Sequence, residues 1–582
     1  MFRKLVRTYR NERRTLILIG ILGILTSGTE ALALISIAPL VQAAAEGSAS
    51  YQADWGPISV DLTLRQYALL SGAMLIAALL VQIFALYVTA RLTTGYRLRA
   101  RLAVIDAFQE ADWSAQAMER EGWLRTLSTD NVMQSSQGLR SLANWIKAAI
   151  GLGIFVGGAI LVDPLAVVMI VGVLGLLSLA LRPINRLAGS ISAKTADLNL
   201  RSSEELATLT MTARELKIFG VVAPASKRFR YLAKTERKYQ LKNQTLTGLT
   251  APIFRSIGSL LIVALIAAAA SRDGGDVAAT GLVALLLYRA FNYGSSLVSV
   301  HQSLVTLVPV LDQLDDGVRR LRDAKSGATE RVPEGVRIER LVIDRVSMRY
   351  PGASTDALHD VDVAFGAHEV IGIVGPSGAG KTTLAELLVG LRRPTTGTIS
   401  YDDIELHDVT DDSRANLVTL VSQHVPLVPG SLVDNVRFFR DVPDQAIDEA
   451  LTGAGLDPFV AELPDGRDTR IGPGARALSG GQMQRIGIAR AIAGAPRFLV
   501  LDEPTSALDA TTEELVTDTI GALRGKIGVI VIAHRLTTLR HCDRVLVVEN
   551  GTISDVGPMR DLSERNEFVR HALEVGSLSW AG

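Results

Sequence analysis

The densest chemistry in the chain lies in nine residues, Gly375-Pro-Ser-Gly-Ala-Gly-Lys381-Thr382-Thr383. A strand-like apolar run, Val370 to Val374, precedes them, and a helix-like run, Leu384 to Leu391, follows. Strand, glycine-rich turn and helix is the order a phosphate-binding loop requires. Gly375, Gly378 and Gly380 let backbone N–H groups turn inward and approach phosphate oxygens closely. The helix aims its positive end at the same anion. Lys381 would reach the β- and γ-phosphates of a nucleoside triphosphate, and the Thr382 hydroxyl would ligate Mg²⁺. Ser377 and Thr383 fall in the same stretch. A glycine turn with a solvated lysine is the bland alternative, and it leaves both flanking elements unexplained.

Further groups fall where apolar strand patterns end. Tyr350 follows a strand about 25 residues ahead of the loop, and its ring could stack on a nucleobase. Gln423 ends Leu417–Gln423 and could face Mg²⁺ or an attacking water. Asp502 and Glu503 end a buried parallel-type strand from Arg497. Asp502 would hold the Mg²⁺ hydration shell, and Glu503 would polarise the water or act as general base. Paired acids can also merely cap a helix. His534 ends Val529–His534 and could contact the γ-phosphate, although a lone histidine is more often structural. Leu478-Ser479-Gly480-Gly481-Gln482 opens a helix, Met483 to Ala493, that carries Arg485 and Arg490. Its amides and the Ser479 hydroxyl form a second anion site. One chain has no second phosphate for that site, which points to use in trans.

These groups need elements to hold them, and the chain has two contrasting halves. At 582 residues it exceeds one ordinary domain. Apolar residues make up 48% and charged residues 21%, an apolar balance for a soluble protein. Formal net charge is zero, so nothing suggests a nucleic-acid partner. The single cysteine, Cys542, excludes an internal disulfide framework and reads as a small buried residue.

The apolar content is concentrated early. Leu16–Ala45 has one charge, Glu30, and Tyr67–Ala90 has none. About 20 apolar residues cross a bilayer. Ala148–Val162 and Leu165–Leu181, parted only by Asp163-Pro164, read as a third and fourth span. Ser256–Ser271 and Val277–Leu311 read as a fifth and sixth. The segments before the first span, and at 91–147 and 182–255, are rich in Lys and Arg, whereas the opposite loops hold only Arg65 and Arg272. Both termini are therefore expected in the cytoplasm. The basic segments read as helices extended into water, with reversals near Asp112–Asn131 and Arg214–Arg230. They would make mechanical contact with a cytoplasmic domain; solvated loops are the alternative. Glycines 151, 153, 157 and 158 suggest close helix packing. Glu30, Arg255 and Arg289 fall at or inside spans, where charge is costly. Glu30 suits an interhelical contact and Arg255 suits snorkelling. Arg289 fits either a polar contact or an anionic headgroup.

The expected fold is an α-helical six-span membrane domain (1–322), a charged linker (323–335) and a cytoplasmic α/β phosphate-loop ATPase (336–582). The second half resembles the nucleotide-binding domain of ATP-binding-cassette proteins. Tyr350 is similar to the A-loop aromatic, Gly375–Thr382 to Walker A, Gln423 to the Q-loop and Leu478–Gln482 to the LSGGQ signature. Phe498–Glu503 resembles Walker B with its catalytic glutamate, Ser506-Ala-Leu-Asp509 the D-loop, and His534 the switch histidine. Residues 1–330 resemble the membrane domain of exporters, by topology more than by local sequence.

The resemblance implies ATP with Mg²⁺ as cofactors and a head-to-tail dimer. Each ATP would lie between Walker A of one copy and Ser479, Gly480 and Gly481 of the other. A homodimer would then have two competent sites; a related half-transporter is the alternative partner. It implies an exporter or flippase of the plasma (inner) membrane, driven by alternating access, that moves an amphipathic or lipid-linked substrate. Thr26–Gln52, Glu215–Phe219 and the region around Arg289 are similar to flippases of lipid-linked oligosaccharides. Drug, peptide or siderophore export, and a cassette that gates rather than pumps, stay open. A soluble cassette ATPase fits poorly with six spans, and an importer with the fusion of both parts in one chain. Pro473, in Thr469–Gly474, stands where exporters commonly carry glutamate, a departure from the pattern under which the resemblance does not carry over the usual cassette-to-membrane coupling contact.

Overall fold

A computed structural model describes the chain except at residues 1, 47–49, 56–57, 120–121, 163, 165–166, 169–171, 173–174, 176–181, 271–276, 326, 329, 333–337, 473–477, 506–507, 509, 534, 536 and 575–582. The chain forms two compact units, Met1–Ala111 with Ala115–Lys325, and Asp112–Ser114 with Ser326–Gly582.

The first unit is built of long helices: α1 (Arg13–Glu46), α2 (Leu64–Glu110), α3 (Val132–Val162), α4 (Arg182–Met211), α5 (Val222–Ala270) and α6 (Val277–Asp323). Among the described residues, four stretches are long and apolar enough to cross a membrane: Arg10–Ile35, Ala68–Glu110, Trp123–Leu161 and Gly281–Asp323. The expected fifth span contributes a shorter apolar stretch, Arg255–Ala264, inside α5. Most of the expected fourth span lies outside the described residues. An antiparallel hairpin, Ser50–Trp55 with Ile58–Thr63, joins α1 to α2 and was not expected from the sequence pattern.

Apolar side chains of this unit divide between an interior and a large exposed set. Ile19, Leu139, Phe155, Leu286 and Leu304 are fully buried, whereas Ile17, Leu80, Ile83, Phe84, Leu161 and Leu260 lie exposed. Exposed apolar surface on this scale suits lipid contact. A Cβ on Gly151 would meet the Tyr293 ring at 2.5 Å, so this glycine permits α3 to approach α6. Among the described residues, Gly153 and Gly157 have nothing within 4 Å of that position, so the packing stripe reduces largely to Gly151. Inside the unit Arg289 Nη1 lies 2.8 Å from Glu30 Oε1. The Tyr293 hydroxyl donates to Glu30 Oε2 at 3.3 Å and accepts from Ser27 Oγ at 3.4 Å. The two isolated charges of α1 and α6 thus neutralise each other, the arrangement a low-dielectric interior favours. Arg255 is exposed.

The second unit is α/β. A six-stranded sheet contains Val370–Val374, Val418–Val421, Phe498–Asp502, Gly528–Ile532, Arg544–Glu549 and Thr552–Gly557. The first five pair in parallel and the last adds an antiparallel edge. An antiparallel sheet, Arg340–Met348, Leu358–Gly366, Thr396–Tyr401 and Ile404–Glu405, accompanies it. The parallel strands are buried on both faces, which is why they read as unbroken apolar runs. Val370, Leu499, Leu501, Val529 and Val531 join one core, and Ile371, Ile373, Phe498, Val500, Ile530 and Ile532 the other. Strand periodicity alone makes that division.

Candidate nucleotide site

Register places the carboxyl ends of the central strands along one edge. Leu501 pairs with both Val421 and Val531, and Ile373 pairs with Ile532. The segments that follow Val374, Val421, Asp502 and Ile532 therefore emerge side by side, at the edge where ligands of open parallel sheets bind.

The glycine loop is held by its own backbone. Gly380 adopts φ +102° and precedes the helix Lys381–Leu388. A Cβ there would lie 2.6 Å from the Ala357 carbonyl oxygen, and one on Gly375 would lie 2.0 Å from that of Val548. A side chain at either position would push the loop off the strands behind it. Lys381 Nζ donates to the carbonyls of Gly375 at 2.8 Å and Pro376 at 2.9 Å, so the ammonium spans the loop. Burial pushes its pKa down, while Glu503 and Asp502 oppose that shift. The Thr382 side chain is exposed and that of Thr383 buried. The two threonines thus differ in access, and Thr382 suits a metal ion.

Tyr350 lies two residues past its strand, and its hydroxyl is 3.0 Å from Thr383 Oγ1. Sequence reasoning missed its neighbour Arg392, whose guanidinium lies over the ring at 4.6 Å and is ion-paired with Glu386. The motif offered no signal for it, since nothing local links residues 350 and 392.

Gln423 is not positioned as a lone group. Its Nε2 donates to Glu503 Oε2 at 2.9 Å, which unites two sequence-distant strand ends. Glu503 has φ +50°, a left-handed conformation uncommon for a residue with a Cβ. Its backbone N–H donates to the Ile532 carbonyl at 3.0 Å. Backbone strain of this kind gathers at functional sites.

The signature segment forms a capped helix start. Ser479 is the N-cap of the helix Gly480–Ile492, and its hydroxyl accepts from Gln482 N at 3.2 Å while Gln482 Oε1 accepts from Ser479 N at 3.0 Å. The Ser479 proton stays available to donate. The helix is pinned by Arg490, whose Nε donates to the Asn435 carbonyl at 2.8 Å and whose guanidinium covers Phe438 at 4.1 Å. Burial, with Arg440 nearby, lowers the Arg490 pKa to about 10. Arg485 Nη1 donates to the Gly455 carbonyl at 2.7 Å. Both arginines therefore brace the helix and are not free for an anion. His534, Asp509, Ser506 and Pro473 lie outside the described residues.

A phosphate-loop ATPase unit joined to an apolar helical unit is the class that this fold and site define. Residues 358–506 match the ABC transporter family. The chain is 30% identical over 403 residues to an ATP-dependent lipid A-core flippase of Thiobacillus denitrificans, covering 66% of this chain and 68% of that protein. It is 31% identical over 416 residues to one of Ralstonia nicotianae, covering 69% and 68%. It is 32% identical over 359 residues to ABC transporter B family member 29, chloroplastic, of Arabidopsis thaliana, covering 60% and 55%. The chain spans between about half and two thirds of these relatives' lengths. A bacterial Atm1-family ABC exporter with ATP bound shares the fold, with TM-score 0.81, 24% identity and 99% of both chains covered. The chain belongs to the ABC transporter family, and its architecture is that of a half-transporter, one helical unit with one ATPase unit.

Proposed function

We propose that this chain hydrolyses ATP to move a lipid-type substrate across the inner membrane by alternating access, as a dimer of two copies. The helical unit would span six times, with both termini and the ATPase on the cytoplasmic side. The observation that carries the reading is the Gln423–Glu503 hydrogen bond at 2.9 Å, on the sheet edge that also carries Lys381 and its glycine loop. The basic and hydroxyl groups fit a triphosphate, and Thr382, Gln423 and Asp502 supply the oxygen donors that Mg²⁺ prefers.

In this reading Tyr350 stacks on the base. Gly375, Ser377, Gly378 and Gly380 present amides to the phosphates, and Lys381, Thr382 and Thr383 complete the cradle. Mg²⁺, when bound, neutralises charge that develops on the phosphoryl oxygens. Glu503 accepts a proton from water, oriented by Gln423 and His534. The partner copy closes the site through Ser479, Gly480, Gly481 and Gln482, with Asp509 at the junction. The names of the relatives favour a lipid substrate over a drug, peptide or siderophore. The paired charges of Glu30 and Arg289 withdraw Arg289 from the role of an open anion site.

Reconstitution in liposomes tests the proposal. Added ATP with Mg²⁺ should move a headgroup-labelled lipid between leaflets, and Glu503→Gln should stop it. ATP turnover without lipid movement would instead support a cassette that gates.

A further inference from the structure

The helical unit contains an open cleft of about 1440 Å³ between α3, α4, α5 and α6 and the short helical segment at 123–131. Its lining is unusual for a phosphate-handling chamber. Among the described residues, eight carboxamides and eight hydroxyl-bearing side chains contribute, together with four carboxylates against two guanidinium groups.

Both guanidinium groups are already engaged. Arg320 lies 3.3 Å from Glu119 and covers the Trp123 ring at 5.5 Å. Arg319 sits 3.8 Å from Asp316. Asp312 is paired with Lys4. Asp130 and Glu236 have no basic partner among the described residues. Glu236 accepts only from Ser202 Oγ, at 3.1 Å, among the bonds described. The wall is therefore net acidic, and it would repel a phosphate group. The one cation set deeper in α6, Arg289, is spent on Glu30.

The same wall suits a different chemistry. Carboxamides and hydroxyls both donate and accept, as sugar hydroxyls do, whereas an ionised phosphate only accepts. Carboxylates form strong bonds with hydroxyl donors. Asn243 Oδ1 is buried with no hydrogen-bond partner among the described residues. Asn243 lines the cleft, and a small side-chain rotation would offer this acceptor to a donor-bearing ligand, whereas a bare phosphate would leave it unmet. Phe229 adds an apolar face.

We propose that this cleft takes an uncharged glycosyl headgroup, so that the substrate is a lipid whose polar end is sugar and not phosphate. The inference rests on the transport reading above and narrows its substrate class.

The test uses the full chain in nanodiscs and two probes with the same acyl chains, a diglucosyl diacylglycerol and phosphatidic acid. Binding is read by native mass spectrometry, and basal ATP turnover without either probe is measured on the same sample. At least tenfold tighter binding of the diglucosyl lipid is expected. Asn243→Leu should weaken it at least fivefold, and Gln137→Lys, which keeps the cleft polar but adds a cation, should shift preference toward phosphatidic acid. Equal or tighter binding of phosphatidic acid to the unaltered chain overturns the proposal, as does diglucosyl-lipid binding that neither substitution changes. Absent ATP turnover with the lipid preference intact would refute the ATP-driven reading alone.

Discussion

Replacing Glu503 by glutamine removes a proton acceptor and almost nothing else. The side chains have the same shape, so the φ of +50° and the bond from Glu503 N–H to Ile532 are retained. The new side-chain oxygen still accepts from Gln423, which reaches the present carboxylate at 2.9 Å. The fold should change by less than about 1 kcal/mol, in line with an isosteric change at a partly exposed site. Loss of a general base typically costs about 10²- to 10⁴-fold in rate, or about 3–5 kcal/mol of barrier. One fewer carboxylate near the triphosphate leaves nucleotide affinity equal or tighter. Phosphate release at saturating ATP, binding of a fluorescent ATP analogue and thermal melting separate the three quantities. Turnover within about threefold of the unaltered chain would refute the assignment of Glu503, whatever the affinity.

Other substitutions probe other parts. Lys381→Ala removes the ammonium that spans the loop through Gly375 and Pro376; ATP affinity measured by fluorescence titration should fall at least tenfold. Arg392→Ala removes the cation over Tyr350, a partly desolvated contact worth about 1 kcal/mol; KM for ATP should rise about fivefold with kcat kept. Arg289→Ala leaves Glu30 unpaired and should lower the melting temperature in detergent, at a cost of at most about 3 kcal/mol, with the double variant Glu30→Ala, Arg289→Ala restoring part of it. His407 titrates at about 4 because burial, with Arg393 and Arg414 nearby, disfavours its charged form. A depressed folded pKa stabilises the fold above the unfolded value of about 6.5 and loses that contribution as pH falls toward 4. Denaturant unfolding should therefore show stability falling across that window, less so in His407→Phe.

The candidate nucleotide site was legible as a pattern because the residues that suggest it are local. Gly375 to Thr383 carry their context in adjacent residues, and the apolar runs at 370–374, 498–502 and 528–532 announce strands buried on both faces. Relations between distant segments were not legible. Nothing at Gln423 reveals that it bonds Glu503, nothing at Tyr350 reveals Arg392, and Glu30 and Arg289 read as separate charges until the helices align them. The spans were clear where charge is scarce, as at 16–45 in α1 and 67–90 in α2. They were weaker in α5, where the apolar stretch is short and polar residues continue the helix. The hairpin at 50–63 lacked the Asn-Gly or Asp-Gly signal that marks tight turns.

The claim that ATP is held between two copies has a direct test. Cysteines placed at Ser377 and Ser479 can be bridged by a bifunctional thiol reagent, against a background of Cys542 alone, whose thiol burial pushes up to about 12. With Glu503→Gln and ATP, cross-links should join two chains and should be few without nucleotide. Cross-links confined within one chain, or equally abundant without ATP, would contradict the account.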